Sequence, residues 1–309
     1  MWIRPVWATI IVTTLVLTMA SAPAHAEKRV ALVIGNTAYQ HTRILPNPRN
    51  DAAAIGKVLE DIGFKVTVKT DQGYGDMRRV IRDFGQSANG ADIAVIHFAG
   101  HGLELAGENY LLPVDAKVIR DGDLEYETVT LTSVLSSVRG ATKLRLVILD
   151  ACRNNPLGDR MALSAGATRA VTRGLARIEP SGDVLVAYSA KHGTLAQDGT
   201  GPLSPYAEAL VKHLATPGVD IRIVLGRVRD AVLAATERRQ EPYIYGTLGG
   251  AMAMLVPGPS VDGVPRPPRR SSANRRPSLQ RTSDRQQFQV HSRTSPCRQI
   301  FLWHPMCCA

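Results

Sequence analysis

Cysteine is almost missing from the body of this chain. Four occur in 309 residues, and three of them, Cys297, Cys307 and Cys308, fall near the end, so Cys152 stands alone between residues 27 and 256. That excludes a disulfide within the body. In an oxidising compartment such a thiol is either buried and inert or kept for its reactivity. Aromatic residues are also few, at 5%, and they do not interleave with basic ones as a base-stacking surface requires. The chain has no G-x-G-x-x-G after a strand, no P-loop, no H-E-x-x-H and no G-x-S-x-G. Dinucleotide, triphosphate, zinc-protease and serine-hydrolase readings thereby lose their main support, and no cofactor is expected. Cys307, Cys308 and His304 offer only two or three soft ligands at a loose terminus, too few to define a metal site.

A long apolar run is missing as well. The first residues place Arg4 ahead of an apolar stretch from Val6 to Ala20, ending in Ala24, His25 and Ala26. A bilayer span needs roughly 18 to 20 apolar residues. This shorter run with a small-x-small site reads as a signal peptide over residues 1–26, cleaved after Ala26. An uncleaved anchor is the alternative. The expectation is an exported chain, periplasmic or secreted, with no membrane span in its mature form.

The net charge of +10 suggests nucleic acid until it is located. From Pro257 onward nine Arg face only Asp262 and Asp284, and Arg4 adds one more, which leaves the body from Glu27 to Val256 at +2. A domain so nearly neutral has no footprint for a polyphosphate, so no nucleic-acid partner is expected. Residues 257–309 hold eight of the 19 prolines with Arg and Ser and no periodicity, the composition of a disordered basic tail.

What the body does have is alternation. "RVALVIGN" reads as a buried strand. In the next segment Ile55, Val58, Leu59 and Ile62 form a helical stripe, with Asn50 or Asp51 as its start cap and Gly63 at its end. Further stripes (Met77, Val80, Ile81, Phe84; Leu131, Val134, Leu135, Val138; Ile221, Val224, Leu225, Val228, Val232) alternate with the strands "FKVTV", "DIAVIHF", "LRLVILD" and "DVLVAYS". Ser204 and Pro205 open another helix, and "AMAMLVP" reads as a last strand. Near-continuous apolar strands between helices define an α/β domain over residues 27–256, a doubly wound, mostly parallel sheet with helices on both faces. Its chemistry is expected at the carboxyl ends of the strands.

Two of those ends carry reactive groups: "IHFAGHG" finishes on Gly100, His101 and Gly102, and "LVILDAC" on Asp150, Ala151 and Cys152. Parallel strands would put imidazole and thiol on one rim. An imidazole lowers the thiol pKa and later protonates a leaving amine. The N–H groups of Gly102 and Cys152 would hold a developing oxyanion, and a backbone carbonyl would suffice to orient the imidazole. Alone, Cys152 reads more simply as a small core residue; His101 reverses that. His97 reads as a hydrogen-bonded core histidine, and His41, His192 and His213 carry no role.

In order along the chain, "VIGNTAY", "NPRNDAAAIGKVLEDIGF", "HFAGHG", "YLLPVDA", "LVILDACRNNP" and "VAYSAKHGTLAQDGTGPLSPYAEALVKHL" resemble the bacterial caspase-like cysteine peptidases, relatives of metacaspases. The resemblance spans Arg29 to Val256. It implies the caspase-like fold, His101 as general base and acid, Cys152 as nucleophile, Gly102 in the oxyanion site, and a protein or peptide substrate. Where caspases carry Gln before Ala-Cys this chain has Asp150, as metacaspases do, which implies cleavage after Arg or Lys. Asp150 capping its own turn is the alternative. A second pocket acid is not evident in "SAKHGTLAQDG"; Asp198 is the candidate. The Arg-rich stretch after Cys152 matches the linker that caspase relatives cut, so self-trimming after Arg173 or Arg177 is expected, against a plain solvated loop. A catalytically silent peptide-binding module and a legumain-like or gingipain-like hydrolase are the competing readings.

Overall fold

The structure, a computed structural model, describes residues 26–152, 161–162, 171–172, 184–191 and 196–258. Residues 1–25, Arg173, Arg177, His192, residues 259–309 with their cysteines and the side chain of Cys152 lie outside the described residues.

The elements run β1 (Arg29–Gly35), α1 (Pro48–Asp61), β2 (Lys65–Thr70), α2 (Tyr74–Ala88), β3 (Ile93–Leu105), β4 (Glu108–Leu111), α3 (Leu124–Glu127), β5 (Val129–Thr130), α4 (Leu131–Ser137), β6 (Leu144–Cys152), β7 (Val171–Thr172), β8 (Val184–Tyr188), α5 (Pro205–His213), α6 (Ile221–Ala235) and β9 (Tyr243–Thr247). The main sheet has the order β2-β1-β3-β6-β8-β9. Its first five strands are parallel and β9 is antiparallel at the edge. From β1 the chain steps to one side for β2 and to the other for β3. Such a reversal opens a crevice at the carboxyl ends of β1 and β3.

Alternation of side chains to two covered faces explains why the central strands β1, β3, β6 and β8 are largely apolar. Leu32, Ile34, Ile96, Phe98, Val147 and Leu149 pack on one face against Met77, Ile81 and Phe84 of α2 and Leu131 and Val134 of α4. Val33, Val95, Leu146 and Ile148 pack on the other against Ile55 and Leu59 of α1 and Val224, Leu225 and Val228 of α6. Each such side chain withdrawn from water stabilises the fold by roughly 1.5–3 kcal/mol. A smaller cluster around Tyr39, Leu45, Leu103, Leu112 and Met161 takes in the last part of β3.

The expected alternation of strands and helices is present, with three differences. Helix α1 starts three or four residues earlier than a cap at Asn50 or Asp51 implies, with Asn47 at the cap position and Pro48 in its first turn, so Asp51 is not a cap but a buried residue inside the helix. Strand β3 does not stop at the His101 glycines; it continues to Leu105 and pairs antiparallel with β4 and β7. The last strand is β9, not "AMAMLVP". There the backbone is engaged elsewhere: Ala253 N–H donates to Asp220 Oδ2 (3.0 Å), and the Leu255 carbonyl accepts from Arg29 Nη1 (2.9 Å).

Where β1 ends, Gly35 lets α1 approach closely. A Cβ there would lie 2.1 Å from the Pro48 carbonyl oxygen and 2.8 Å from Ala52 Cβ. The obstacle is backbone and cannot swing aside, so Gly35→Ala is expected to cost roughly 2–4 kcal/mol of stability. A fall in the urea midpoint at unchanged slope would show it.

Candidate active site

His101 and Cys152 are in direct register: β3 and β6 run parallel, and their Cα partners end on His101 opposite Cys152. Both strands are buried in mid-sheet, so the pairing follows from the apolar runs that precede each residue. Gly102 comes next on β3, opposite Leu111 of β4.

The loop between β1 and α1 holds the imidazole. His101 Nε2 lies 2.7 Å from the Arg43 carbonyl oxygen. A carbonyl only accepts, so Nε2 carries the proton and Nδ1 keeps its lone pair. Nδ1 is buried without a hydrogen-bond partner among the described residues. The Tyr39 ring packs on the imidazole at 4.4 Å between centroids. Its hydroxyl accepts the His101 backbone N–H (2.7 Å) and donates to the Leu112 carbonyl (3.2 Å). Burial lowers the His101 pKa; the Arg43 carbonyl and the charge of Asp198 oppose that, and the Arg43 charge adds to it. The resting imidazole is therefore neutral near pH 7. This is the backbone-oriented arrangement that needs no third side chain.

His97, four residues earlier on the same strand, differs from expectation. It is fully buried, but neither ring nitrogen has a hydrogen-bond partner among the described residues. Burial alone pushes its pKa down to about 3, so it serves as a neutral space-filler. Its register neighbours Val33 and Ile148 are apolar.

Beside this pair the structure brings acids together. Asp150, two residues before Cys152, is buried and accepts a hydrogen bond from the Ser204 hydroxyl. The turn after its own strand lies outside the described residues. Ser204 caps α5, its Oγ accepting the Ala207 N–H (3.0 Å), while its own N–H donates to Asp51 Oδ1 (3.0 Å). One serine thus links two buried carboxyl groups. Burial first, then repulsion by Asp150, raises Asp51 to about 8. Burial chiefly raises Asp150 to about 6, against the Ser204 hydrogen bond and with the charge of Asp198 adding to it. Among the described residues no cation lowers either group.

Asp198 stands at the edge of this cluster, its Oδ2 3.2 Å from Arg43 Nη2. Its backbone carbonyl accepts from Asn47 Nδ2, which also bonds the Gly201 carbonyl (3.3 Å), and Asn50 Nδ2 donates to the Pro202 carbonyl (3.1 Å). The segment from Asp198 to Ser204 is thereby stitched to the start of α1. All the expected site residues, His101, Gly102, Cys152, Asp150 and Asp198, fall at this one end of the sheet. Asp51, Tyr39 and Arg43 join them unannounced. A signal for Asp51 existed: it sits at i−4 from Ile55 and i−8 from Leu59, an acid on the apolar stripe, and reading it as a cap concealed that. Among the described residues no group of three or more His, Cys, Asp or Glu is placed to hold a metal ion. No helix among them is long and apolar enough to cross a membrane.

His101 and Cys152 thus stand in register on adjacent parallel strands of an α/β sheet. The family model for the caspase domain matches residues 28–252, and the chain belongs to that family. Human mucosa-associated lymphoid tissue lymphoma translocation protein 1 is 32% identical over 91 residues, covering 29% of this chain and 11% of that protein. Caspase-1 of Felis catus is 26% identical over 136 residues, 42% of this chain and 32% of that one. The chain thus spans a third or less of the length of these curated relatives. Among solved structures, caspase-1 from Spodoptera frugiperda superposes with a TM-score of 0.52 at 20% identity, over 76% of this chain and 92% of that one, a likeness of fold. The caspase-like fold and a peptidase domain of the caspase type are therefore established.

Proposed function

We propose that the chain is an exported cysteine endopeptidase, periplasmic or secreted, that cleaves proteins or peptides after Arg or Lys. The observation that carries this is the His101 ring: Nε2 is tied to the Arg43 carbonyl and Nδ1 has no hydrogen-bond partner among the described residues, on the residue in register with Cys152. In the proposed reaction Nδ1 takes the thiol proton as sulfur attacks the scissile carbonyl carbon. The N–H groups of Gly102 and Cys152 receive the negative oxygen. The imidazolium then gives the proton to the leaving amine as the C–N bond breaks, and water, deprotonated by the same nitrogen, hydrolyses the thioester.

Asp51, Asp150 and Asp198 form the pocket for the basic residue. Two buried carboxyl groups with elevated pKa and no cation of their own among the described residues suit a guanidinium or ammonium brought by the substrate. Such a pocket would also accept the chain's own Arg173 or Arg177, giving self-trimming.

The test uses purified full chain and fluorogenic peptides ending in Arg, Lys, Asp or a neutral residue, with Cys152→Ala as control. Cleavage by the wild type only, with Arg and Lys preferred, is expected, together with an intact mass below that of Cys152→Ala. Equal signal from both proteins on every peptide would leave a silent peptide-binding module as the reading.

A further inference from the structure

We propose that Asp71, just past the end of β2, is a positioning residue: its carboxylate fixes the loop between β1 and α1 that orients the His101 imidazole. The kinetic consequence rests on the peptidase reading; the effect on the ring does not. Both groups that hold His101, the Tyr39 hydroxyl and the Arg43 carbonyl, sit on this loop, which has neither helix nor strand between Asn36 and Asn47. Asp71 grips its start from outside. Oδ1 accepts the N–H groups of both Thr37 and Ala38, each at 2.8 Å, and Oδ2 pairs with the Arg49 guanidinium on α1. The Asp71 N–H in turn donates to the Gly35 carbonyl (3.0 Å) at the tip of β1. Thr37 passes the constraint on: its carbonyl accepts the N–H groups of Tyr39 (3.0 Å) and Leu45 (3.2 Å), and its Oγ1 accepts that of Arg49 (3.2 Å). Arg43 lies between two anchored residues.

Asp71 holds a φ of +49°, in the left-handed region that favours glycine and where Asp and Asn are among the few other residues found. Such a conformation persists only where its surroundings impose it, and here the surroundings are the bonds to its carboxylate. Burial pushes the carboxyl pKa up, but the Ala38 and Thr37 N–H groups and Arg49 outweigh it and hold the group below its ordinary value. The acceptor is therefore ionised at neutral pH. If the grip is lost, the Arg43 carbonyl no longer fixes which ring nitrogen of His101 carries the proton, and a ring protonated at Nδ1 has no lone pair there for the thiol proton. The acids read as the cation pocket lie on α1, β6 and the segment before α5, so the loss falls on turnover rather than on binding.

Kinetics and nitrogen-15 spectra of the full chain test this. Asp71→Ala is expected to lower kcat on an arginine peptide roughly 10- to 100-fold while KM stays within about two-fold. Asp71→Gly accepts the left-handed backbone freely, so a loss that it shares belongs to the missing carboxylate, and it serves alone if Asp71→Ala does not fold. Asp71→Asn keeps an oxygen for the two N–H groups and loses only the ion pair, so its kcat should stay within about five-fold of wild type. In Cys152→Ala the His101 ring signals, assigned by their loss in His101→Ala, should show a single Nε2–H tautomer. Adding Asp71→Gly should mix in the Nδ1–H form; adding Asp71→Asn, or Val228→Ala in the core against α6, should not. A kcat unchanged in Asp71→Gly, a tautomer that Asp71→Gly does not move, the same mixing in Val228→Ala, or an Asp71→Asn as impaired as Asp71→Gly overturns the proposal. A wild type no more active on the arginine peptide than Cys152→Ala would refute the peptidase reading instead and leave the ring signals to decide the role of Asp71, so the two failures are distinguishable.

Discussion

His101→Ala is expected to lower kcat/KM on an arginine peptide by about 10³-fold or more, close to the loss from Cys152→Ala. General base and acid assistance from one histidine is worth roughly 10²–10⁴-fold, and here the same nitrogen has to serve both acylation steps. Because thiol and imidazole act as one unit, His101→Ala combined with Cys152→Ala should be no worse than Cys152→Ala alone. Additive losses would mean that the two groups work separately. The variant also leaves the Arg43 carbonyl without its donor and a gap against the Tyr39 ring, which costs stability on the order of 1–3 kcal/mol. A denaturation curve therefore has to accompany the kinetics. The pH dependence has a fixed sign. Burial depresses the His101 pKa in the folded state, so the unfolded chain binds the proton more readily. This group's contribution is complete above the unfolded value and declines as pH falls through about 6.5. His101→Ala should flatten that part of the stability curve.

How much of this was legible in the sequence depends on the physical scale of each signal. Parallel strands were readable because both faces are covered, so "VALVIG" and "LVIL" had to be apolar without interruption. The rim pairing followed, since strands of that kind end side by side. The hairpin of β3 with β4 was concealed by the glycines around His101, which look like a strand end but here lie inside a longer strand. "AMAMLVP" misled by composition. Its apolar content is real, and Leu255 is buried, but its backbone groups bond to Asp220 and Arg29, partners far away in sequence. Asp51 was missed for a related reason. Near a helix start an acid is ordinarily a cap, and only the tertiary bond from Ser204 sets Asp51 apart. Tyr39 and Arg43 act through a hydroxyl and a main-chain carbonyl on a loop, where the sequence has no periodicity to read.

The pocket acids give the second large effect. Asp51→Asn is expected to cut kcat/KM on arginine and lysine peptides roughly 10- to 100-fold, as for loss of one partner of a buried charge pair, while neutral peptides change little. In the free protein both acids have raised pKa values, Asp51 to about 8 and Asp150 to about 6. A guanidinium prefers them ionised, so binding expels protons, and affinity for an arginine peptide should rise with pH between about 6 and 8. Stability runs the other way. The folded chain retains protons that the unfolded chain releases near pH 4, so the acids' contribution shrinks as pH rises through that window. Asp51→Asn removes one ionisation and should make the protein less sensitive to alkaline pH, even as it binds basic peptides more weakly. Calorimetry on Cys152→Ala avoids interference from the titration of the reacting groups, and buffers of different ionisation enthalpy count the protons expelled. Proton release that persists undiminished after Asp51→Asn, or an arginine affinity flat across that range, would show that Asp51 and Asp150 are held for Ser204 and the start of α5 rather than for a substrate cation.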